Sequence, residues 1–126
     1  MRPFGELEAD IMRVLWAAGG KSLTIHEVAD ALNGDGRDLA YTTVMTVTER
    51  LRTKGWLERV KQGRSFRYSV LRSADDYSAE LMEQALESSV DRAGALLRFA
   101  GRLDAAEAEA LRRALAETPA DPAPED

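Results

Sequence analysis

Three features of the chain predict its fold class. Apolar residues recur at helical spacing in three segments before Thr53, two short strands alternate around the basic turn Lys61-Gln62-Gly63-Arg64, and an alanine-rich acidic stretch with helical periodicity follows Arg72. The expected architecture is mainly α with a small β-wing: a winged helix-turn-helix followed by a helical dimerisation region. A helix followed by a basic hairpin offers DNA two contacts, the helix for the major groove and the wing for the flanking backbone. The expected boundaries are 1–72 for a DNA-binding domain, 73–117 for a dimerisation domain and 118–126 for a tail.

The first helix is read over Glu6 to Ala17, with Leu7, Ile11, Val14 and Leu15 on one stripe, Trp16 close by, and Gly19-Gly20 ending it. Thr24-Ile25-His26-Glu27 has the form of a capping box, in which Thr24 accepts from the Glu27 amide while Glu27 reaches back. Ile25, Val28, Ala29 and Leu32 then face inward until Asn33-Gly34 closes the second helix. Asp35 to Asp38 form the next turn, and Asp38 is read as the N-cap of the third helix.

At about 100° per residue, Val44, Val47, Thr48 and Leu51 cluster on one side of the third helix with Ala40 beside them, and this side must face the core. Thr42, Thr46, Glu49 and Thr53 lie opposite, flanked by Thr43 and Arg50 on one side and Met45 and Arg52 on the other. Threonine is a poor choice for helix stability because β-branching restricts χ1. Its repeated use in Tyr41-Thr42-Thr43-Val44-Met45-Thr46 makes sense if methyls are wanted against thymine and hydroxyls against phosphate or base edges. Arg50 can take guanine bidentately or hold a phosphate. On the wing, Trp56, Leu57, Val60, Phe66, Tyr68 and Val70 supply strand formers, and Phe66 and Tyr68 are read as core residues on one strand face. The candidate DNA-contacting set is Tyr41, Thr42, Thr43, Thr46, Arg50 and Arg52 on the helix, with Lys61, Arg64 and Arg67 on the wing.

Charge supports that placement. Residues 37–72 hold nine basic against three acidic residues, a net of +6, whereas residues 73–126 hold five Arg against thirteen Asp and Glu, a net of −8. The overall charge of −5 thus hides a basic middle able to face phosphate.

Ser73-Ala74-Asp75-Asp76 opens a fourth helix expected to reach about Val90, carrying Tyr77, Leu81, Met82, Ala85 and Leu86. Ala95 to Ala100 reads as a short apolar helix, and Asp104-Ala105-Ala106-Glu107 starts a last one with Ala108, Leu111, Ala114 and Leu115. Three short helices of this kind cannot bury enough surface alone. Packing against a second copy solves that, so a homodimer is expected through Leu81, Leu86, Leu96, Leu97, Phe99, Leu111 and Leu115. The alternative is that they fold back on the N-terminal half. Residues 118–126, TPADPAPED, are Pro-rich and acidic and expected to be disordered.

Other function classes find little support. The single histidine, His26, is read as a surface or packing residue, Gly19-Gly20-Lys21 lacks phosphate-loop spacing, and no His or Cys cluster has metal-ligand spacing. No catalytic site, metal or cofactor is expected. No apolar run approaches the roughly 20 residues that span a bilayer, no signal peptide is recognisable, and the absence of cysteine fits a cytoplasmic protein.

These segments resemble a known family. EADIMRVLW from Glu8 to Trp16, AYTTVMTVTERLRTKGWLERVKQGRSFRYS from Ala40 to Ser69, and ALLRFAGRLDAAEAEALRRAL from Ala95 to Leu115 are similar to the penicillinase-repressor family over residues 5–117, nearly the whole chain. The resemblance implies a dimeric winged-helix repressor on palindromic operator DNA with TACA/TGTA half-sites. In the antibiotic-resistance branch it also implies induction by cleavage, through a membrane-bound β-lactam sensor with a metalloprotease domain. Thr43, Thr46 and Arg50 match the recognition-helix positions, and Lys61 to Arg67 match the wing. Thr42 and Met45 stand where staphylococcal members have basic residues. The cleavage position falls at the Arg98–Phe99 bond, where Phe99 matches and Arg98 replaces asparagine. The copper-responsive branch carries a C-terminal cysteine motif that this chain lacks. Two rivals stay open: a ligand-responsive winged-helix regulator, and a winged-helix protein-interaction module that never touches DNA.

Overall fold

A computed structural model describes residues 2–117, so the tail expected over 118–126 lies outside the described residues. The order is α1 (Glu6–Ala17), α2 (Ile25–Asn33), α3 (Tyr41–Thr53), β1 (Leu57–Gln62), β2 (Ser65–Val70), α4 (Ala74–Glu87), α5 (Arg92–Ala100) and α6 (Ala105–Glu117). The mainly helical chain with a two-stranded wing is the expected fold class. Two compact units separate inside α4, between Met82 and Glu83.

In the first unit, α1, α2 and α3 pack around a core whose fully buried members include Ile11, Met12, Leu15, Val28, Val44, Leu51 and Leu57. The buried stripe of α1 runs through Glu8, Ile11, Met12 and Leu15, while Leu7 and Val14 only flank it. Glu8 is tolerated there because the Gly5 amide donates to it at 3.0 Å and Lys54 Nζ at 2.8 Å. The capping box of α2 forms as expected, with the Glu27 amide donating to Thr24 Oγ1 and the Thr24 amide to Glu27 Oε1, each at 3.1 Å.

The start of α3 differs from expectation. Ala40, not Asp38, is its N-cap, and no side chain caps it. The reason lies in α2, where the Asn33 amide side chain accepts from Leu39 N–H at 2.8 Å and donates to the Leu39 carbonyl at 3.1 Å. This clamp holds the chain extended past Asp38 and delays helix entry, so Ala40 sits exposed at the terminus rather than on the core side. Thr48 is fully buried and satisfied by donation to the Val44 carbonyl at 2.7 Å.

β1 and β2 pair antiparallel from Leu57↔Val70 to Gln62↔Ser65. The two-residue turn begins with Gly63 at φ +62°, a left-handed conformation that glycine adopts without a Cβ penalty. Leu23 exchanges two 2.8 Å backbone hydrogen bonds with Tyr68, which anchors the wing to the α1–α2 connection. Of the two aromatics read as core, only Tyr68 is buried. Phe66 is not packed against the core and keeps 38% of its surface exposed.

The α4 start belongs to this unit. Tyr77 stacks on Phe4 with ring centroids 4.1 Å apart and planes 4° off parallel, its hydroxyl accepts from Phe4 N–H at 2.8 Å, and Trp56 meets both rings edge-on. Trp16 donates its indole N–H to the Arg72 carbonyl at 2.9 Å. This aromatic cluster joins the N-terminal segment, the end of α3 and the first turns of α4.

In the second unit α4 ends at Glu87, short of Val90. The Ser88 and Ser89 hydroxyls turn back onto the Gln84 and Ala85 carbonyls and compete with continuation of the helix. Asp91 caps α5 by accepting from Gly94 N–H at 3.0 Å, so the helix begins at Arg92 rather than Ala95. Asp104 and Glu107 form the capping box of α6. None of α4, α5 and α6 contains a fully buried residue, and Leu97 and Leu115 remain 76% and 70% exposed.

Candidate nucleic-acid interface

The outer face of α3 carries Thr42, Thr43, Thr46 and Arg50, all exposed, with Tyr41 at its start. Because Ala40 supplies no side-chain acceptor, the amides of the first α3 turn have no side-chain partner, an end of the helix dipole suited to anions. The Tyr41 ring lies 4.4 Å from the His26 ring, which places His26 in a packing role beside this terminus. Thr46 donates its hydroxyl to the Thr42 carbonyl at 2.9 Å and Thr53 to the Glu49 carbonyl at 3.0 Å. With its donor turned onto the helix, Thr46 offers its methyl and oxygen lone pairs outward.

Ion pairing divides the cations of residues 37–72 sharply. Arg37 pairs with Asp10, Lys54 with Glu8, Arg52 and Arg59 with Glu49, Arg67 with Glu27, and Arg72 with Glu80. Arg50, Lys61 and Arg64 form no hydrogen bond or ion pair among the described residues, and all three are exposed. The nine cations of the segment therefore divide into three outside any ion pair, on α3 and the wing, with Arg50 still near enough to Glu8 for its charge to favour that carboxylate, and six paired groups that shape the surface.

Arg67 is fastened by its partners. Its Nε donates to Ser22 Oγ at 3.0 Å and its Nη2 to the Ser22 carbonyl at 2.7 Å, with Glu27 at 3.2 Å, so it braces β2 against the start of α2. Arg52 points both Nε (3.0 Å) and Nη2 (3.1 Å) at Glu49.

Glu49 is the junction the sequence did not reveal. From the outer half of α3 it also accepts from Arg59 Nη1 on β1 and from the Tyr68 hydroxyl on β2, each at 2.7 Å. One carboxylate thus ties α3 to both strands of the wing. The bidentate Arg52 contact is the main reason its carboxyl is held below the usual range, with Tyr68 and Arg59 adding to it against partial burial. Burial in turn raises the Tyr68 phenol, and the adjoining Glu49 charge raises it further. A glutamate read only by helical angle looks like one more solvated charge; pairing Arg59 opposite Tyr68 in the hairpin register is the signal that could have located it.

The pH dependence follows. The Glu8, Asp10, Glu27, Glu49 and Asp76 carboxyls all lie below their ordinary values in the folded chain. As pH falls the unfolded chain takes up protons first, so the stability these groups supply is complete above the ordinary glutamate value of 4.5 and drains away as pH drops through their lowered folded values. Thermal melting followed by circular dichroism should give a flat midpoint from about pH 7 to about pH 5 and a steady decline below it.

Comparisons with known proteins accord with this geometry. The penicillinase repressor family matches residues 4–117. The transcriptional regulator BlaI of Mycobacterium tuberculosis is 44% identical over 116 residues, covering 90% of this chain and 83% of that protein. A solution structure of the DNA-binding domain of the repressor BlaI superposes with a TM-score of 0.50 at 30% identity, covering 59% of this chain and 87% of that one. RosR of H. salinarum superposes with a TM-score of 0.54 over 92% of this chain and 94% of its own, at 17% identity, a likeness of fold alone. No described helix is long and apolar enough to cross a membrane. The chain belongs to the penicillinase repressor family of DNA-binding transcriptional regulators.

Proposed function

We propose that two copies of this chain, joined through α4, α5 and α6, repress transcription by occupying a palindromic operator with TACA/TGTA-type half-sites. The observation that carries this reading is the conjunction of the exposed α3 face with Arg50, Lys61 and Arg64, three exposed cations of residues 37–72 that stand in no ion pair among the described residues. Each copy lays α3 in a major groove and its wing on the adjacent backbone, with half-sites separated by whole helical turns of about 34 Å. The exposed Leu96, Leu97, Phe99, Leu111 and Leu115, together with Leu81 and Leu86, supply the apolar surface for the second copy. A wing with free Lys61 and Arg64 suits phosphate rather than a neutral protein partner.

Relief of repression follows from losing the dimer. The Arg98–Phe99 bond lies near the C-terminal end of α5, and cutting it detaches α6. The likeness to BlaI supports control of antibiotic-resistance genes; a membrane-bound β-lactam-sensing protease as the upstream partner, and action in the cytoplasm, are the remaining parts of this proposal.

The test is a binding comparison on operator and scrambled duplexes. Arg50→Ala should lose about 1–3 kcal/mol on the operator and relax discrimination at one base pair if Arg50 reads a base. Equal loss on both duplexes, with the salt slope lower by roughly one, would make it a phosphate contact. Unchanged affinity on both removes Arg50 from the interface.

A further inference from the structure

The junction at Glu49 has more cationic donors than its structural role requires. Its carboxylate accepts four hydrogen bonds, two from Arg52, one from Arg59 and one from Tyr68, which fills the roughly four lone-pair sites a carboxylate has. It therefore has no acceptor left for a base edge. Two guanidinium groups against one carboxylate leave the cluster positive. Each guanidinium carries five N–H donors, and Arg52 commits two nitrogens to Glu49 while Arg59 commits one. Both side chains remain about one-third exposed, at 35% and 33%, so neither is closed off by its partners, although Arg59 also acts on the Tyr68 hydroxyl.

Arg59 is also held from its other side. Its guanidinium carbon sits 4.1 Å from the Phe66 ring centroid, which gives that partly exposed aromatic a partner on the wing. A guanidinium fixed between a carboxylate and a ring has already lost its rotamer freedom, so a ligand that accepts from it costs little further ordering. Arg59 and Lys61 alternate onto the same face of β1, and Arg50 adjoins Glu49 on α3. These cations therefore belong to neighbouring positions where α3 meets the wing.

We propose that Arg59, with Arg52 beside it, forms a further backbone-phosphate contact where α3 meets the wing, and that Glu49 is the positioning residue that aims both guanidinium groups. This rests on the DNA-binding reading above. The contact carries no base information, so it strengthens operator and non-specific binding alike and sets the register of the wing.

The experiment measures fluorescence anisotropy of the full chain on a duplex with inverted TACA/TGTA half-sites and on a scrambled duplex, across a salt series. Arg59→Gln should weaken both duplexes by a similar factor, about tenfold, and lower the log–log salt slope by roughly one per protomer. Arg59→Lys should keep the slope but lose affinity, because lysine lacks the fork and the stack. Glu49→Asp keeps the charge and shortens the reach, so it should reproduce much of the Arg59→Gln loss and add nothing to it in the double variant. A folded Arg59→Gln with wild-type affinity and slope overturns the proposal, and so does a Glu49→Asp that binds both duplexes more tightly, since Glu49 would then be sequestering the arginines. If Arg59→Gln fails to fold, Arg59→Lys decides: affinity lost on both duplexes supports the contact, and wild-type affinity overturns it. A wild-type chain without salt-sensitive binding to either duplex refutes the DNA-binding reading itself, a result distinct from these.

Discussion

Replacing Leu97 and Leu115 together with aspartate should weaken binding to a two-half-site operator by about 10²–10⁴-fold while leaving binding to an isolated half-site unchanged. Two linked half-site contacts share one loss of translational freedom, and the linkage disappears when the chain becomes a monomer. These leucines suit the test because each is largely exposed within a single chain, at 76% and 70%. Charge placed there costs the monomer little, whereas burying an unpaired carboxylate in an interface is strongly unfavourable. The helices α4 to α6 contain no fully buried residue of their own, so an apolar partner is what such short segments require. Light scattering should report a dimer for the wild type and a monomer for the variant. A chain ending at Arg98 should behave like the variant. A wild-type monomer with full operator affinity would remove the second copy from the account.

Trp56→Ala should destabilise the first unit by about 3–5 kcal/mol. Trp56 is 3% exposed and lies between Phe4 at 5.0 Å, Tyr77 at 5.6 Å and the Arg72 guanidinium at 4.3 Å. Its main-chain bonds, from the amide to the Leu51 carbonyl at 3.1 Å and from Leu71 N–H to its carbonyl at 2.9 Å, persist in the variant, so the loss reports the indole. Removing the indole opens a cavity where the end of α3, the N-terminal segment and the first turns of α4 meet. For a unit of this size the melting midpoint should fall by roughly 12 °C or more. Trp56→Phe, which keeps an edge-on ring, should lose much less. A loss below about 1 kcal/mol would mean that the aromatic cluster does not anchor α4.

The elements with strong local grammar were legible in the sequence. Thr24 and Glu27 announce α2 through a reciprocal cap that needs only adjacent residues, and Gly63 fixes the hairpin register because a tight turn demands its conformation. The exposed face of α3 followed from angular position alone. What was not legible depended on partners distant in sequence. Asp38 looked like a cap, but Asn33 reaches across the turn and shifts the start of α3 to Ala40. Arg67 looked like a free wing cation, and Ser22 and Glu27 claim it. Phe66 alternates in register with a core tyrosine, yet it is not among the residues packed on the core, and the Arg59 guanidinium lies over its ring. Phe4 and Tyr77 are separated by most of the first unit, and no periodicity links them.

The absence of cysteine from the chain makes one measurement especially direct. With Thr43→Cys as the sole thiol, a tethered iron chelate on α3 should cut operator DNA in two clusters within the major groove. The clusters should be related by a dyad and separated by a whole number of helical turns of about 10 base pairs. A single cluster, cuts confined to the minor groove, or no cutting by a chain that still binds the duplex would contradict the account of α3 and its wing as a paired DNA-reading surface.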